Sequence, residues 1–148
     1  MKLEEAIKQR GFESEHEKLA INLMYTAGWI GTHINAFLKE FGLTSQQYNV
    51  MRILKGQYPN PSTVLLIKER MLDKESNASR LVDKLFNAGL VNRKQCPNDR
   101  RQVDIILTEK GLKLLKSIDP KVKSKIKETL KVSKIAAGRL NDMLDDLR

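Results

Sequence analysis

Between residues 19 and 41 apolar side chains return at every third or fourth position: Leu19, Leu23, Ala27, Ile30, Ile34, Phe37 and Phe41. That period predicts a long helix over residues 14–39. A second apolar set, Ile21, Met24, Tyr25 and Trp29, lies on a neighbouring face. A helix that is apolar on two faces is covered on two sides. In a chain of 148 residues, the second cover is expected from another chain. Gly42 suits the turn that closes this helix. Thr44 followed by Gln47 forms a capping box for the next one, which carries Tyr48, Met51 and Leu54. QYPNPS (57–62) is a loop signal. Ser62 is then placed to cap a short helix running through Arg70, with MLDKE (71–75) as a connector.

Ser76 starts a further helix, SNASRLVDKLFNA (76–88). Ala78, Leu81, Val82 and Leu85 make its apolar face, followed by Phe86. Asn77, Arg80, Lys84 and Asn87 make the opposite face, and Gly89 is placed to end it. Two short helices joined by a tight connector read as a helix-turn-helix. Asn, Ser and Arg sit near the start of its second helix, where such helices touch base edges. LVNRKQ and RQVDIIL follow, separated by a Pro/Asn/Asp turn. Val103, Ile105 and Leu107 alternate with Gln102, Asp104 and Ile106, which predicts a β-hairpin, or wing. Thr108 is the expected N-cap of the last helical region, with Glu109 in its first turn. An apolar stripe continues from Leu112 through Leu115, Ile118, Val122, Ile126 and Leu130 to Leu147. Pro120 is expected to kink that helix or start a new one.

Long amphipathic helices thus bracket a compact centre. The pattern predicts a mainly α (α+β) fold. Residues 43–108 form a winged helix-turn-helix, and residues 1–42 and 109–148 form a helical dimerisation region. A monomeric bundle packing the same stripes internally is the competing arrangement. Two-fold symmetry suits a helix-turn-helix reader and favours the dimer.

Charge sharpens this picture. The chain carries a formal net charge of +9, which points to a polyanionic partner, most often nucleic acid. Residues 76–101 hold Arg80, Lys84, Arg93, Lys94, Arg100 and Arg101 against Asp83 and Asp99, a net of +4. Residues 110–134 hold nine lysines against Asp119 and Glu128, and read as a solvated helix face that adds to the long-range field. The single cysteine, Cys96, allows no disulfide within the chain and fits a reducing compartment. The charged N-terminus lacks the apolar core of a signal peptide, and the longest aliphatic run, VLLI, is far short of a membrane span. The expectation is a cytoplasmic protein.

A wing that enters a narrow minor groove wants an arginine, because negative potential is concentrated there. An aspartate two residues away can hold that arginine by a charge-assisted bond. Asp99 and Arg101 fit those roles, and a merely polar turn is the plainer reading. Met24, Tyr25, Trp29, His33, Tyr48 and Met51 could line a cavity, although such residues at helical spacing more often form plain core. His16 and His33 have no close metal-ligand spacing. No phosphate loop, nucleophile elbow, CxxC or HExxH pattern is present. No enzyme, cofactor or metal is therefore expected.

The run GLVNRKQCPNDRRQVDIILTEKG (89–111), preceded by SRLVDKL (79–85), resembles the MarR family of bacterial winged-helix transcription regulators. The family's wing signature is Asp, any residue, Arg, three residues, an aliphatic, any residue, then Leu-Thr. Asp99, Arg101, Ile105, Leu107 and Thr108 fall in that register. The resemblance implies an obligate homodimer that binds a pseudo-palindromic operator on double-stranded DNA. It usually acts as a repressor, relieved by a small aromatic or phenolic ligand or by an oxidant. It further implies that Ser76, Asn77, Ser79 and Arg80 face the major groove, and that Arg101, positioned by Asp99, enters the minor groove. Lys84, Arg93 and Arg100 are phosphate contacts by charge. The chain departs from the family at Leu66-Ile67, where a Leu-Ala step is common, and in a connector without the usual glycine. Two other functions remain open: a winged helix that reads a protein partner, and a redox-responsive regulator using Cys96.

Overall fold

The computed structural model describes residues 1–96 and 99–148, with side chains for all of these except 96 and 99–102. A short helix α1 (Leu3–Ile7) precedes the long α2 (Glu15–Lys39). Three helices follow: α3 (Ser45–Gln57), α4 (Val64–Arg70) and α5 (Ala78–Asn87). Strands β1 (Val91–Cys96) and β2 (Asp99–Leu107) form an antiparallel hairpin, and α6 (Glu109–Leu130) and α7 (Lys134–Asp145) complete the chain.

Local chemistry sets most of the boundaries. Ser14 Oγ accepts from the Glu17 N–H and starts α2. Thr44 and Gln47 exchange both bonds of the expected capping box at α3. Thr108 caps α6 by accepting from the Gly111 N–H. Gly42 and Gly89 both take φ of +71°, a region that glycine enters without the Cβ penalty. In the hairpin, Val91 pairs with Leu107 and Arg93 with Ile105, with an irregularity between Gln95 and Cys96.

Three expectations are corrected. Ser62 does not cap α4. Thr63 does, accepting from the Leu66 N–H, while Ser62 pairs with Ile105 through both backbone groups at 2.8 Å. The bridge to Ile105 holds Ser62 one residue short of the N-cap position, which falls to Thr63. The reading helix starts later than Ser76, because Asn77 is its N-cap. Pro120 does not begin a helix but lies within α6, which continues past it to Leu130. The carbonyl it leaves without a donor belongs to Lys116, and both residues are exposed, so water can satisfy it. The chain breaks later, where Lys131 takes the left-handed conformation and Ser133 caps α7. The five-residue α1 is an element that periodicity could not reveal.

One hydrophobic core joins α3, α4, α5, the hairpin base and the first half of α6. Met51, Ile67, Leu85, Ile105, Leu115 and Ile118 are all fully buried. The long helix α2 reaches this core only at its end. Leu38, absent from the apolar stripe read above, is its one buried residue, while Leu19, Leu23, Met24 and Trp29 remain exposed. No residue of α7 is buried.

Candidate nucleic-acid interface

Helices α4 and α5 meet through the connector 71–77, which is anchored from below. Met71 is buried, and the Leu72 N–H donates to Asn49 Oδ1 on α3 at 3.0 Å. Within the connector, Ser76 Oγ donates to Asp73 Oδ2 at 2.8 Å. Asn77 Oδ1 accepts from the Arg80 N–H at 3.0 Å. Of the four residues expected in the major groove, Ser76 and Asn77 therefore shape the turn. Ser79 and Arg80 stand exposed, with no side-chain partner among the described residues, and so does Lys84 one turn on. The apolar face behind them, Ala78, Val82 and Leu85, is buried. The helix is thus fixed by its back and presents a polar, cationic front.

Arg93 was expected to contact phosphate. Its guanidinium pairs with Asp83 and lies 4.2 Å from the centroid of the Phe86 ring. Both partners belong to α5, so the pair fastens the first wing strand to the reading helix. Stacking a guanidinium on an aromatic face also shields an otherwise half-exposed Phe86. The wing base is further held by buried Val91, Ile105 and Leu107. Asp99, Arg100 and Arg101 open β2. The expected Asp99–Arg101 pairing, and the side chain of Cys96, lie outside the described residues.

The six residues expected to line a cavity stand in different surroundings among the described residues. Met51 belongs to the core and Met24 is two-thirds exposed. Tyr25 and Trp29 line a groove of about 330 Å³ between α1 and α2, with Leu3, Ala6, Asn22 and Thr26. His33 packs against Trp29 with ring centroids 4.5 Å apart, and its Nδ1 lies 2.9 Å from the Trp29 carbonyl oxygen. Tyr48 faces elsewhere, toward α6.

There it meets Asp119, which sequence reasoning counted only as charge. Tyr48 Oη donates to Asp119 Oδ1 at 2.8 Å, Lys55 Nζ donates to Oδ2 at 2.9 Å, and Arg52 Nη1 lies 3.2 Å from Oδ2. Burial pushes the Asp119 carboxyl up, but the bonds from Lys55, Tyr48 and Arg52 outweigh it and hold the group below its ordinary range. Burial, reinforced by the facing carboxylate, pushes the Tyr48 phenol up to about 12. A signal for this cluster was present. Leu115, Ile118, Asp119 and Val122 occupy positions i, i+3, i+4 and i+7, which puts an acid on the buried face of α6.

Among the described residues no helix is long and apolar enough to cross a membrane, and no group of three His, Cys, Asp or Glu side chains could hold a metal ion.

Comparison with known proteins agrees with this architecture. Residues 43–103 match the model of the MarR family. The chain is 32% identical over 117 residues to the HTH-type transcriptional regulator MhqR of Bacillus subtilis, covering 78% of each chain. It is 30% identical to a MarR transcription factor from Planctomyces limnophilus, with a TM-score of 0.72 over 93% of this chain and 98% of that one. Sco3205 of Streptomyces coelicolor, a MarR family transcriptional regulator solved in complex with DNA, shares the fold at 20% identity. Its TM-score is 0.78, with 94% and 89% of the two chains covered. The register of the wing, the helix-turn-helix beneath it and these likenesses lead to one assignment: the chain belongs to the MarR family.

Proposed function

We propose that this chain is a sequence-specific double-stranded DNA-binding transcription regulator. It acts in the cytoplasm as a dimeric repressor of a pseudo-palindromic operator and is relieved by a small aromatic or phenolic ligand. It binds and does not turn over a substrate. The observation that carries this reading is the front of α5. Among the described residues, Ser79, Arg80 and Lys84 have no side-chain partner, on a helix whose back is buried. In this reading residues 43–108 are the reading lobe. Arg80 and Ser79 meet base edges, Asn77 and Ser76 shape the approach, Lys84 and Arg100 meet phosphates, and Arg101 enters the minor groove beside Asp99. Arg93 holds the wing on α5.

Residues 1–42 and 109–148 form the frame through which two copies pair. Support comes from the uncovered apolar side chains of α2 (Leu19, Leu23, Met24, Trp29) and α7 (Ile135, Leu140, Met143). The ligand-relief element rests on family membership and on the groove that Tyr25 and Trp29 line.

Selection from a random duplex pool tests the proposal. An inverted repeat with half-sites about one helical turn apart should be enriched, with affinity falling steeply as salt rises. Arg80→Ala should weaken the selected site by about 1–3 kcal/mol, or roughly 5- to 150-fold. Arg101→Ala should weaken it too and shallow the salt slope by about one unit. No enrichment, together with salt-insensitive binding to a protein partner, would overturn the reading.

A further inference from the structure

The Asp119 cluster joins the two parts of the molecule. Tyr48, Arg52 and Lys55 stand at positions i, i+4 and i+7 of α3, one face of that helix. That same helix packs against α4 and α5 and so carries the reading lobe. Asp119 belongs to α6, which packs along α2 in the frame. Among the described residues no other hydrogen bond or ion pair joins α3 to α6. The carboxylate is the directional part: it is 8% exposed, and both oxygens are engaged by groups spread over two turns of α3. A buried acid bonded in this way resists rotation of one helix about the other, since each bond weakens steeply when misaligned. It also resists ionic rearrangement, because its charge is matched by two cations that sit closer to solvent.

We propose that Asp119 is a positioning residue that sets the angle of the reading lobe on the helical frame, and through it the half-site spacing the protein accepts. The proposal rests on the reading that two copies bind an inverted repeat. Geometry sets its scale. The first half of α6 is held in the core of the reading lobe, so the arm that can swing is the other half. Eleven residues separate Asp119 from Leu130, about 16 Å at 1.5 Å per residue. A rotation of roughly 10° about Asp119 moves that end by about 2.8 Å. The axial step between base pairs is about 3.4 Å. Two lobes moving in opposite senses would change their separation by more than one such step. Loosening this cluster therefore acts on spacing, whereas loosening a phosphate contact weakens every site alike.

The test uses the full-length protein and the operator selected by the wild type. Duplexes carry the native spacer, one base pair fewer, one base pair more, or a single half-site. Wild type should favour the native spacer over both altered spacers by at least about tenfold. Asp119→Asn should bind the single half-site as wild type does, but discriminate among the spacers by no more than about threefold. Tyr48→Phe, which removes one bond and keeps both cations, should fall between the two. Parallel loss on all four duplexes, or an unchanged spacer profile in both variants, would overturn the proposal. Should Asp119→Asn fail to give the wild-type circular dichroism spectrum, Tyr48→Phe and Lys55→Met decide by the same criteria. If wild type selects no inverted repeat, the functional reading fails and this inference falls with it. If it selects one and the variants keep its spacing profile, this inference alone fails.

Discussion

Gly111 sits in the first turn of α6, where the reading helix, the wing and the frame come together. A Cβ built there would lie 2.2 Å from the Leu90 carbonyl oxygen and 3.2 Å from Leu107 Cδ2. The Leu107 side chain can yield. The Leu90 carbonyl cannot yield easily, because it accepts from the Thr108 N–H at 3.1 Å while the Leu90 N–H donates to the Leu85 carbonyl at 2.9 Å. An unstrained carbon-to-oxygen contact is about 3.3 Å, so Gly111→Ala demands a shift near 1 Å between two bonded backbone segments. Overpacking of this kind costs about 1–3 kcal/mol, and a backbone clash belongs at the upper end. The better helix propensity of alanine returns up to about 1 kcal/mol. The net is a loss of about 2 kcal/mol, or roughly 4–8 °C in Tm for a chain of this size. Thermal melts at one fixed protein concentration read this directly. Gly56→Ala is the matched control. Gly56 lies inside α3 with nothing within 4 Å of the added carbon, so it should gain about 0.5–1 kcal/mol. A Gly111→Ala protein melting within 1 °C of wild type, or above it, would refute the argument from close approach.

Two further outcomes follow from buried polar groups. The Ser62 hydroxyl is buried and has no partner among the described residues, while its backbone bonds to Ile105 need no side chain. Ser62→Ala should therefore raise stability by about 1 kcal/mol, and a fall of more than 2 °C in Tm would show that the hydroxyl is bonded after all. Asp119 has a depressed folded value, so the stability it contributes is complete above the ordinary carboxylate pKa of about 4 and is lost as pH falls through the folded value. Tyr48 is raised to about 12, so its contribution is complete below the ordinary phenol value of about 10 and is lost as pH rises toward about 12. Tm measured against pH should flatten at the acid end in Asp119→Asn and at the alkaline end in Tyr48→Phe. Variant curves that run parallel to wild type would contradict the cluster's titration.

What the sequence made legible was what neighbouring residues decide among themselves. Thr44 with Gln47, Thr108, Gly42 and Gly89 act within a few residues of where they stand, and each does what its type suggests. The hairpin was visible because Val103, Ile105 and Leu107 alternate, and the front of α5 because Arg80 and Lys84 lie opposite Ala78 and Val82. What stayed hidden depends on partners far along the chain. Ser62 became a bridge partner of β2 because Ile105 offered both backbone bonds. Arg93 ties the wing to the reading helix because Asp83 and Phe86 lie beneath it on the preceding helix. Tyr48 looked like cavity lining until Asp119, on a helix far downstream, placed an acid against it. The break at Lys131 escaped because apolar residues continue at helical spacing on both sides of it.

The uncovered state of α7 has a thermodynamic consequence. It has twelve residues, none of them buried, and isolated helices of about that length are only marginally formed in water. Its Ser133 cap contributes about 1 kcal/mol, too little to hold it alone. Under the pairing proposed above, the order of this segment is borrowed from the second copy and becomes a function of protein concentration by mass action. Dilution at constant temperature should then reduce helical content at the C-terminus while the winged core stays folded. The last turns of the chain would report how many copies are present.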